Sequence, residues 1–544
     1  MRLTELVDRN VPVLGGDPVI TGITADSRAV GPGMLFAAIP GTAHDGRSFI
    51  AAAADAGAVA VLAPRGTVVP SGLALVEADE PRGALARMAG RFYPRRPDVI
   101  AAVTGTNGKS SVVSFTRQIW MRLGLSAACL GTLGYEGPGD LSAPALTTAD
   151  PVALHRLLDQ AARAGVGHLA LEASSHGIDQ HRLDGIAPVA VAFTNLTHDH
   201  LDYHGTIEAY RDAKLQLFSR LAAPAGYAVV NADSRTYDQV VRAALKRPLA
   251  VIDYGRKARV LRLVSVESMP GGGLHVVIEH SGQRHEFGLG LIGSFQAHNV
   301  LAAVGLVIGC GGSLPAALAT LSHLKAVPGR MEQVGMTADG APVIVDYAHT
   351  PDALETVIKA VRPHADGRVV VVFGCGGDRD RAKRPLMGRI ATREADHVIV
   401  TDDNPRSEDP AAIRAEIMAA APDAVEIGDR AAAIEAAVAG LEPGDVLLIA
   451  GKGHETGQTI AGTVHPFSDR QQALAALARR GRVQADGGGH DRCNLHPVDG
   501  AGGCGGGWRP ADNRRRGHSR CRHHRRCHRQ PRGSRGRPVH RAPR

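Results

Sequence analysis

The stretch "VTGTNGKSS", Val103 to Ser111, ends in a lysine followed by two hydroxyl side chains. Gly105 and Gly108 permit a tight backbone turn, N–H groups at the start of a following helix can face phosphate oxygens, and Lys109 adds a point charge. The stretch reads as a phosphate cradle, although Val103 stands where the common G-x-x-x-x-G-K-[ST] pattern has glycine. A nucleotide triphosphate brings Mg²⁺, which prefers hard oxygen ligands and keeps several waters. Ser110 offers one such oxygen and Glu172, at the end of "HLALE", another. The run Thr197-His198-Asp199-His200-Leu201-Asp202-Tyr203-His204 adds three imidazoles and two carboxylates. Taken alone that run suits zinc equally, since imidazole is a good zinc ligand. The phosphate loop and the absence of cysteine partners favour magnesium.

Four later apolar runs each end directly in reactive side chains: "VIVDYAHTPD", "VVVVFGCGGDRDRAKRP", "VIVTDDNPRSEDP" and "LLIAGKGHETGQ". In an open parallel sheet ligands bind outside the carboxyl ends of strands. Four such ends, carrying Asp, Arg, His, Lys and Glu, would line one cleft.

The elements that must position these groups are legible in outline. Val99 to Thr104 has the continuous apolar character of a buried parallel strand, and Lys109 to Leu123 carries helical spacing. "HLALEAS" and "VAVAFTNL" read as further strands of an α/β core. "LRLVSVES", "GLHVVIEH" and "HEFGLGL" read as an antiparallel addition, and "FQAHNVLAAVGLVIGCG" as a closing helix. At 544 residues the chain is long enough for three or four domains. The expected organisation is an α/β protein of three domains: a small α/β domain over 1–98, a central P-loop ATPase-like domain over 99–328 and a Rossmann-like domain over 329–484. The "PRRP" run at 94–97 and "VPGRME" at 327–332 mark the joints.

The net charge of +8 belongs to the end of the chain. Residues 485–544 hold fifteen Arg, no Lys and four Asp, a net of +11, which leaves −3 on residues 1–484. The same segment holds Cys493, Cys504, Cys521 and Cys527, without zinc-finger spacing and without hydrophobic periodicity. A nucleic-acid-binding arm, a metal-binding Cys/His tract and a segment read in the wrong frame compete for it. Arginine without lysine, amid abundant Gly, Pro, His and Cys, favours a disordered, frameshifted or read-through tail. The opening "MRLTELVDRN" is too short in apolar residues for a secretory signal, and no run approaches a membrane span of about 20 apolar residues. Cys129, Cys310 and Cys375 are scattered, as in a reducing compartment. A cytoplasmic protein is expected, acting on neither membrane nor nucleic acid.

"VTGTNGKSS", "LTTADP", "LEASSHGIDQHR", "NLTHDHLDYHGTIEAYRDAKLQLF", "VDYAHTPDAL", "VFGCGGDRDRAKRP", "DDNPR" and "GKGHE" occur in that order. Together they resemble the Mur ligase family over roughly residues 1–483, and that family uses the shortened T-G-T-N-G-K-[ST] loop, so Val103 is no defect. The resemblance implies a monomeric ATP-dependent amide ligase of cytoplasmic peptidoglycan precursor synthesis. It would add meso-diaminopimelate to UDP-N-acetylmuramoyl-L-alanyl-D-glutamate through an acyl phosphate, with the uridine nucleotide held in the first domain. It places ATP against Gly105, Thr106, Asn107, Gly108, Lys109, Ser110, Ser111, Asn299, Arg330 and Asp346. It assigns Mg²⁺ to Ser110, Glu172 and His200, together with Lys214 as a CO₂-derived carbamate (N6-carboxylysine); Lys109, Glu172, His200 and Lys214 form the catalytic set.

The UDP-muramoyl dipeptide would meet Ser27, Thr42, Ala43 and His44, then Thr147, Thr148, Ser174, Gln180 and Arg182. Leu146 stands where related ligases often have Asn, so one polar contact does not carry over. Diaminopimelate would meet Arg379, Asp403, Asn404, Pro405, Arg406, Gly451 and Glu455. It differs from lysine by a carboxylate on the distal carbon, which a guanidinium reads bidentately. The alternatives are an L-lysine-adding ligase or a folylpolyglutamate synthetase of the same family, and a P-loop nucleic-acid-binding protein driven by the basic tail. "DNPR" speaks against the first, and "SSHGIDQHR" with "DSRAV" against the second.

Overall fold

The computed structural model of the chain describes residues 1–481 apart from 42, 43, 143–146, 198, 270 and 271. Thr42, Ala43, Leu146, His198 and the arginine-rich segment 485–544 therefore lie outside the described residues. No helix among the described residues is long and apolar enough to cross a membrane.

Three larger sheets follow one another along the chain. The first has five strands in the order Val13–Leu14, Ala74–Ala78, Ala60–Pro64, Met34–Ala37 and Gly22–Thr24, all parallel except the first. The apolar run "AVLAP" takes its centre because both its faces are covered, by Leu62 with Leu35 and Val76 on one side and Val61 with Phe36 and Leu75 on the other.

The second sheet has ten strands. Val99–Thr104 lies between His168–Glu172 and Ala190–Phe193, parallel to both. Its side chains alternate between two cores: Ala101 and Val103 pack with Val112, Val113 and Phe115, whereas Ile100 and Ala102 pack with Leu154, Leu157 and Leu169. Val103 is thus a core residue of the strand, ahead of the loop proper. The runs Leu261–Ser268, Leu274–His280 and Gln283–Leu289 extend one edge as an antiparallel meander. The helix Phe295–Gly309 lies along the helix Lys109–Arg122.

The third sheet runs Glu332–Met336, Pro342–Asp346, Val446–Ala450, Val369–Phe373, His397–Val400 and Val425–Glu426. All pairs are parallel except the first. The last of these strands in the chain, Val446–Ala450, is inserted in the middle. Its run "VLLIA" is fully buried, as a central parallel strand requires.

Arg430 and Asp469, both 0% exposed, form a buried ion pair with Nε–Oδ1 at 2.7 Å and Nη2–Oδ2 at 2.8 Å. The same guanidinium donates to the carbonyls of Ala450 (2.9 Å) and Asp402 (3.3 Å), tying the carboxyl ends of two strands to the helices Arg430–Ala439 and Asp469–Arg480. Removing one partner strands a charge in the interior, so Asp469→Ala is expected to cost about 3–5 kcal/mol. A urea titration showing a loss near zero would contradict that placement.

Candidate active site

The loop after Val99–Thr104 is shaped by two glycines. Gly105 has φ +146°, and a Cβ there would lie 1.8 Å from Thr194 Oγ1; Gly108 has φ +88°, and its Cβ would lie 2.5 Å from Asn299 Oδ1. Neither position accepts a side chain. The loop is held from outside as well, by Thr106 N–H to Asn195 O (2.9 Å), Asn107 N–H to Asn195 Oδ1 (2.9 Å) and Thr194 Oγ1–H to Asn107 O (2.6 Å). Lys109 opens the helix, and its Nζ donates to the carbonyls of Gly105 (3.0 Å) and Thr106 (2.8 Å). Burial lowers its pKa, while the Glu172 and Asp199 carboxylates oppose that shift.

Parallel pairing in register sets Val103 beside Glu172. That alignment carries the Glu172 carboxylate to the loop, where Oε1 accepts from Ser110 Oγ–H (2.9 Å) and Thr132 N–H (2.9 Å), and Oε2 from Thr132 Oγ1–H (3.2 Å). A Cβ on Gly131 would lie 2.1 Å from Glu172 Oε1, so the strand end is a fitted cradle for the carboxylate. A hydroxyl and a carboxylate are the hard oxygen donors that magnesium prefers. Among the described residues no three His, Cys, Asp or Glu side chains are grouped to hold a metal by themselves.

Lys214 lies beneath the loop, 1% exposed. Its Nζ donates to Gly105 O (2.9 Å) and stands 4.3 Å from the Tyr210 ring centre, and among the described residues it forms no ion pair with a carboxylate. Burial and the nearby Lys109 charge hold its pKa well below the ordinary lysine value. The helix carrying it, Ile207–Gln216, continues into a π-helical turn at Leu217–Leu221, an irregularity often found at functional sites.

His200 sits in a left-handed conformation, φ +53°. Its ring meets His176 edge-on at 4.9 Å, and His176 in turn packs on Tyr203 at 4.2 Å. Burial and the facing His200 and His204 push His176 down to about 4, so it is neutral at pH 7. Tyr203 Oη donates to Asp179 (2.8 Å) and accepts from Gln180 Nε2 (3.2 Å), and Arg182 donates to Gln180 Oε1 (2.7 Å) and Thr148 O (2.7 Å). Thr148 Oγ1 bonds both Glu172 O and Ser174 Oγ at 3.0 Å, and Thr147 Oγ1 lies 3.0 Å from Thr132 Oγ1. One polar network therefore joins Ser110 and Glu172 to Thr147, Thr148, Ser174, Gln180 and Arg182.

Thr106 to Ser111, Thr132, Thr147, Glu172, Ser174 and His200 border a cleft of about 540 Å³, a volume within the usual range for small-molecule sites, while Lys214, Thr148, Gln180 and Arg182 stand behind that lining. Its far wall comes from Asn299, Arg330 and Asp346. Arg330 stacks over Tyr347 at 4.3 Å, and Asp346 accepts from Met331 N–H and Ala348 N–H, both at 2.7 Å. Ser27 and His44 are elsewhere, in a second cavity of about 970 Å³ shared by the first sheet and Asp150 to Arg156.

The four strand ends of the third sheet converge only partly. Asn404 Nδ2 donates to Glu455 Oε2 (2.9 Å), Gln458 Nε2 donates to Asp403 O (2.8 Å), and Gly451 N–H donates to Asp346 O (3.1 Å). A Cβ on Gly451 would lie 3.3 Å from Asp403 Oδ2. Arg406 is held at φ +54° by pairing of its backbone with Thr459 (2.9 Å) and Ala461 (2.7 Å), while Nη1 donates to Gly377 O (2.6 Å). A left-handed conformation costs a non-glycine residue about 1–3 kcal/mol and is kept where surroundings over-determine it. Pro405 shares this loop, with its carbonyl 1.9 Å from where a Gly377 Cβ would be. Arg379 stays apart on an exposed bend, where among the described residues its side chain bonds only Asp378 O (3.4 Å).

Sequence reasoning passed over Thr132, Tyr347, His176 and Lys452, and gave Tyr203 no role within its run. Lys452 was discoverable, as a lysine between glycines directly after a buried strand. Thr132 and His176 meet their polar and aromatic partners only through the fold, Glu172 lying 40 residues from Thr132 and His200 well downstream of His176.

Comparisons with known proteins bear on the family and the fold. Three family models match consecutive stretches: "Mur ligase family, catalytic domain" over 19–106, "Mur ligase middle domain" over 103–307 and "Mur ligase, glutamate ligase domain" over 329–453. The chain is 50% identical over 492 residues to the UDP-N-acetylmuramoyl-L-alanyl-D-glutamate–2,6-diaminopimelate ligase of Bradyrhizobium diazoefficiens, covering 88% of this chain and 100% of that one. It is 51% identical over 482 residues to the Caulobacter vibrioides protein of the same name, covering 88% and 98%. A solved structure of a ligase with that name matches at 33% identity and TM-score 0.63, over 85% of this chain and 95% of the other. A Thermotoga maritima MurF ligase in complex with ADP shares the fold, at 20% identity and TM-score 0.58, over 85% and 98%.

Proposed function

The chain belongs to the Mur ligase family, and on that footing we propose that it is the ATP-dependent ligase joining meso-diaminopimelate to the D-glutamate of UDP-N-acetylmuramoyl-L-alanyl-D-glutamate. The observation that carries this reading is the meeting of the "DNPR" and "GKGHE" loops, where Asn404 bonds Glu455 at 2.9 Å beside Arg406 and Asp403. Half-identical relatives bear the name of that enzyme.

A carboxylate does not condense with an amine at a useful rate, because hydroxide is a poor leaving group. Phosphorylating the D-glutamyl γ-carboxylate replaces hydroxide by phosphate. Loop N–H groups from Gly105 to Ser111 bind the phosphates, and Lys109 stabilises charge on the transferring phosphoryl group. Ser110 and Glu172, with His200, would hold a magnesium ion, which when bound would supply charge neutralisation at the phosphates. Lys214 attacks CO₂ through its uncharged amine, forming an N–C bond and releasing a proton to water. The resulting carbamate turns a cationic group beside Lys109 into an anionic oxygen donor. Thr147, Thr148, Ser174, Gln180 and Arg182 orient the muramoyl dipeptide, and Ser27 and His44 hold its uridine end in the second cavity. The stacked Arg330 and Tyr347, with Asn299 and Asp346, hold the adenosine side. The amine of diaminopimelate then attacks the acyl phosphate, whose phosphate leaves as the C–N bond forms.

ATP-dependent phosphate release with the UDP-muramoyl dipeptide tests the reading directly. Meso-diaminopimelate should support release and lysine should give less than a tenth of it. Equal rates, or faster release with lysine, would overturn the choice of amine. Arg406→Ala should lower kcat/KM for diaminopimelate by about 10- to 100-fold, the worth of a charge-assisted bidentate bond, with KM for ATP unchanged. Removing residues 485–544 should leave turnover intact, since the match to the B. diazoefficiens relative spans all of that protein within 88% of this chain. Lost turnover would instead favour a role for the basic segment.

A further inference from the structure

A buried ammonium lies among the residues assigned to the incoming amino acid. Lys452 is 0% exposed, and its Nζ donates to Asn404 Oδ1 (3.0 Å) and Glu455 Oε2 (2.9 Å). Thr459 N–H also donates to Asn404 Oδ1, at 3.0 Å. An ammonium and a backbone N–H can only donate, so Asn404 must turn its carbonyl to them and its amino group to Glu455. Lys452 thereby sets the facing of both recognition side chains.

It also sets the charge there. Asp403 Oδ1 is buried, 3.7 Å from Lys452 Nζ and without a hydrogen-bond partner among the described residues. Asp403 and Glu455 carry two negative charges, and Lys452 and Arg406 carry two positive ones. The other cation near Gly451, Arg430, is neutralised by Asp469. The group is balanced. The distal centre of meso-diaminopimelate is balanced too, with one ammonium and one carboxylate, whereas the distal end of lysine is a bare cation.

We propose that Lys452 is a specificity-determining residue, cancelling one of the two carboxylates so that the site accepts a zwitterionic terminus and disfavours a cationic one. This rests on the diaminopimelate reading above. Without the ammonium, a half-buried pocket holds a surplus negative charge. That surplus attracts the ammonium of lysine and repels the carboxylate of diaminopimelate, so discrimination arises from repulsion as well as from contact.

The test compares kcat/KM for meso-diaminopimelate and for L-lysine at saturating ATP and UDP-muramoyl dipeptide, in the full chain and in Lys452→Met. Discrimination between the two should fall by about 30-fold or more, mostly through KM for diaminopimelate, with lysine turnover equal or raised. KM for ATP should stay within about two-fold, because Lys109 and its loop are untouched. Equal losses for both amines would overturn the proposal, since a purely supporting role lowers both alike. If Lys452→Met does not fold, Glu455→Gln decides: it makes the site net positive and should raise discrimination against lysine, and an unchanged or lower ratio overturns the proposal. Wild-type protein that fails to use meso-diaminopimelate at all refutes the functional reading instead, a result distinguishable from either variant outcome.

Discussion

Lys109→Met is expected to lower kcat for ADP formation by about a thousand-fold while leaving the fold intact, because it removes a preorganised charge aimed at the transferring phosphoryl group. The argument is geometric. Nζ is held by the carbonyls of Gly105 and Thr106 at 3.0 and 2.8 Å, so it stands at the phosphate cradle before any ligand arrives. Placing it there costs stability. Burial disfavours its charged form and lowers its folded-state pKa, so the unfolded chain binds the proton more tightly. The wild-type protein therefore gains stability as pH rises from the folded pKa toward the ordinary lysine value. Met removes the charge and the penalty together. The variant should melt no lower than wild type at pH 7, and a lower Tm or a kcat loss of under ten-fold would count against the assignment.

Lys214→Ala is expected to lower kcat by about a hundred- to a thousand-fold, with KM for the UDP-muramoyl dipeptide little changed. Lys214 is 1% exposed, bonded to Gly105 O and, among the described residues, without a carboxylate partner, an unusual setting for a lysine with only a packing role. Burial and the neighbouring Lys109 charge depress its pKa and so favour the uncharged amine, the form that captures CO₂. Wild-type activity should accordingly fall in CO₂-depleted buffer and return on adding bicarbonate, whereas the variant should ignore both treatments. Intact-mass measurement of the active wild-type protein should show one added CO₂. An unmodified lysine in fully active, CO₂-replete protein would remove the carbamate from the mechanism.

Much of this cleft is legible in the sequence. The phosphate loop reads from two glycines and a lysine between a buried strand and a helix, and the structure confines that helix to Lys109–Arg122. Val103 is instructive in the opposite sense. It departs from the common pattern, yet it is 0% exposed in the core with Val112 and Phe115, two residues before the turn begins at Gly105. The antiparallel meander also followed from alternation, which local side-chain packing enforces.

What the amino-acid order determined by itself was the local chemistry: which residues turn, which helix follows the loop, and which strand ends carry charge. Those properties depend on torsion preferences and on periodic burial within a few residues. Tertiary structure alone decided the partners. Glu172 reaches Ser110 because its strand pairs in register with Val99–Thr104, 62 residues separating the two side chains that bond at 2.9 Å. Lys452 meets Asn404 across 48 residues because Val446–Ala450 enters the middle of the third sheet, next to Pro342–Asp346 and Val369–Phe373. Strand order of that kind is set by how all the helices cover both faces at once, a global packing condition that no local stretch encodes.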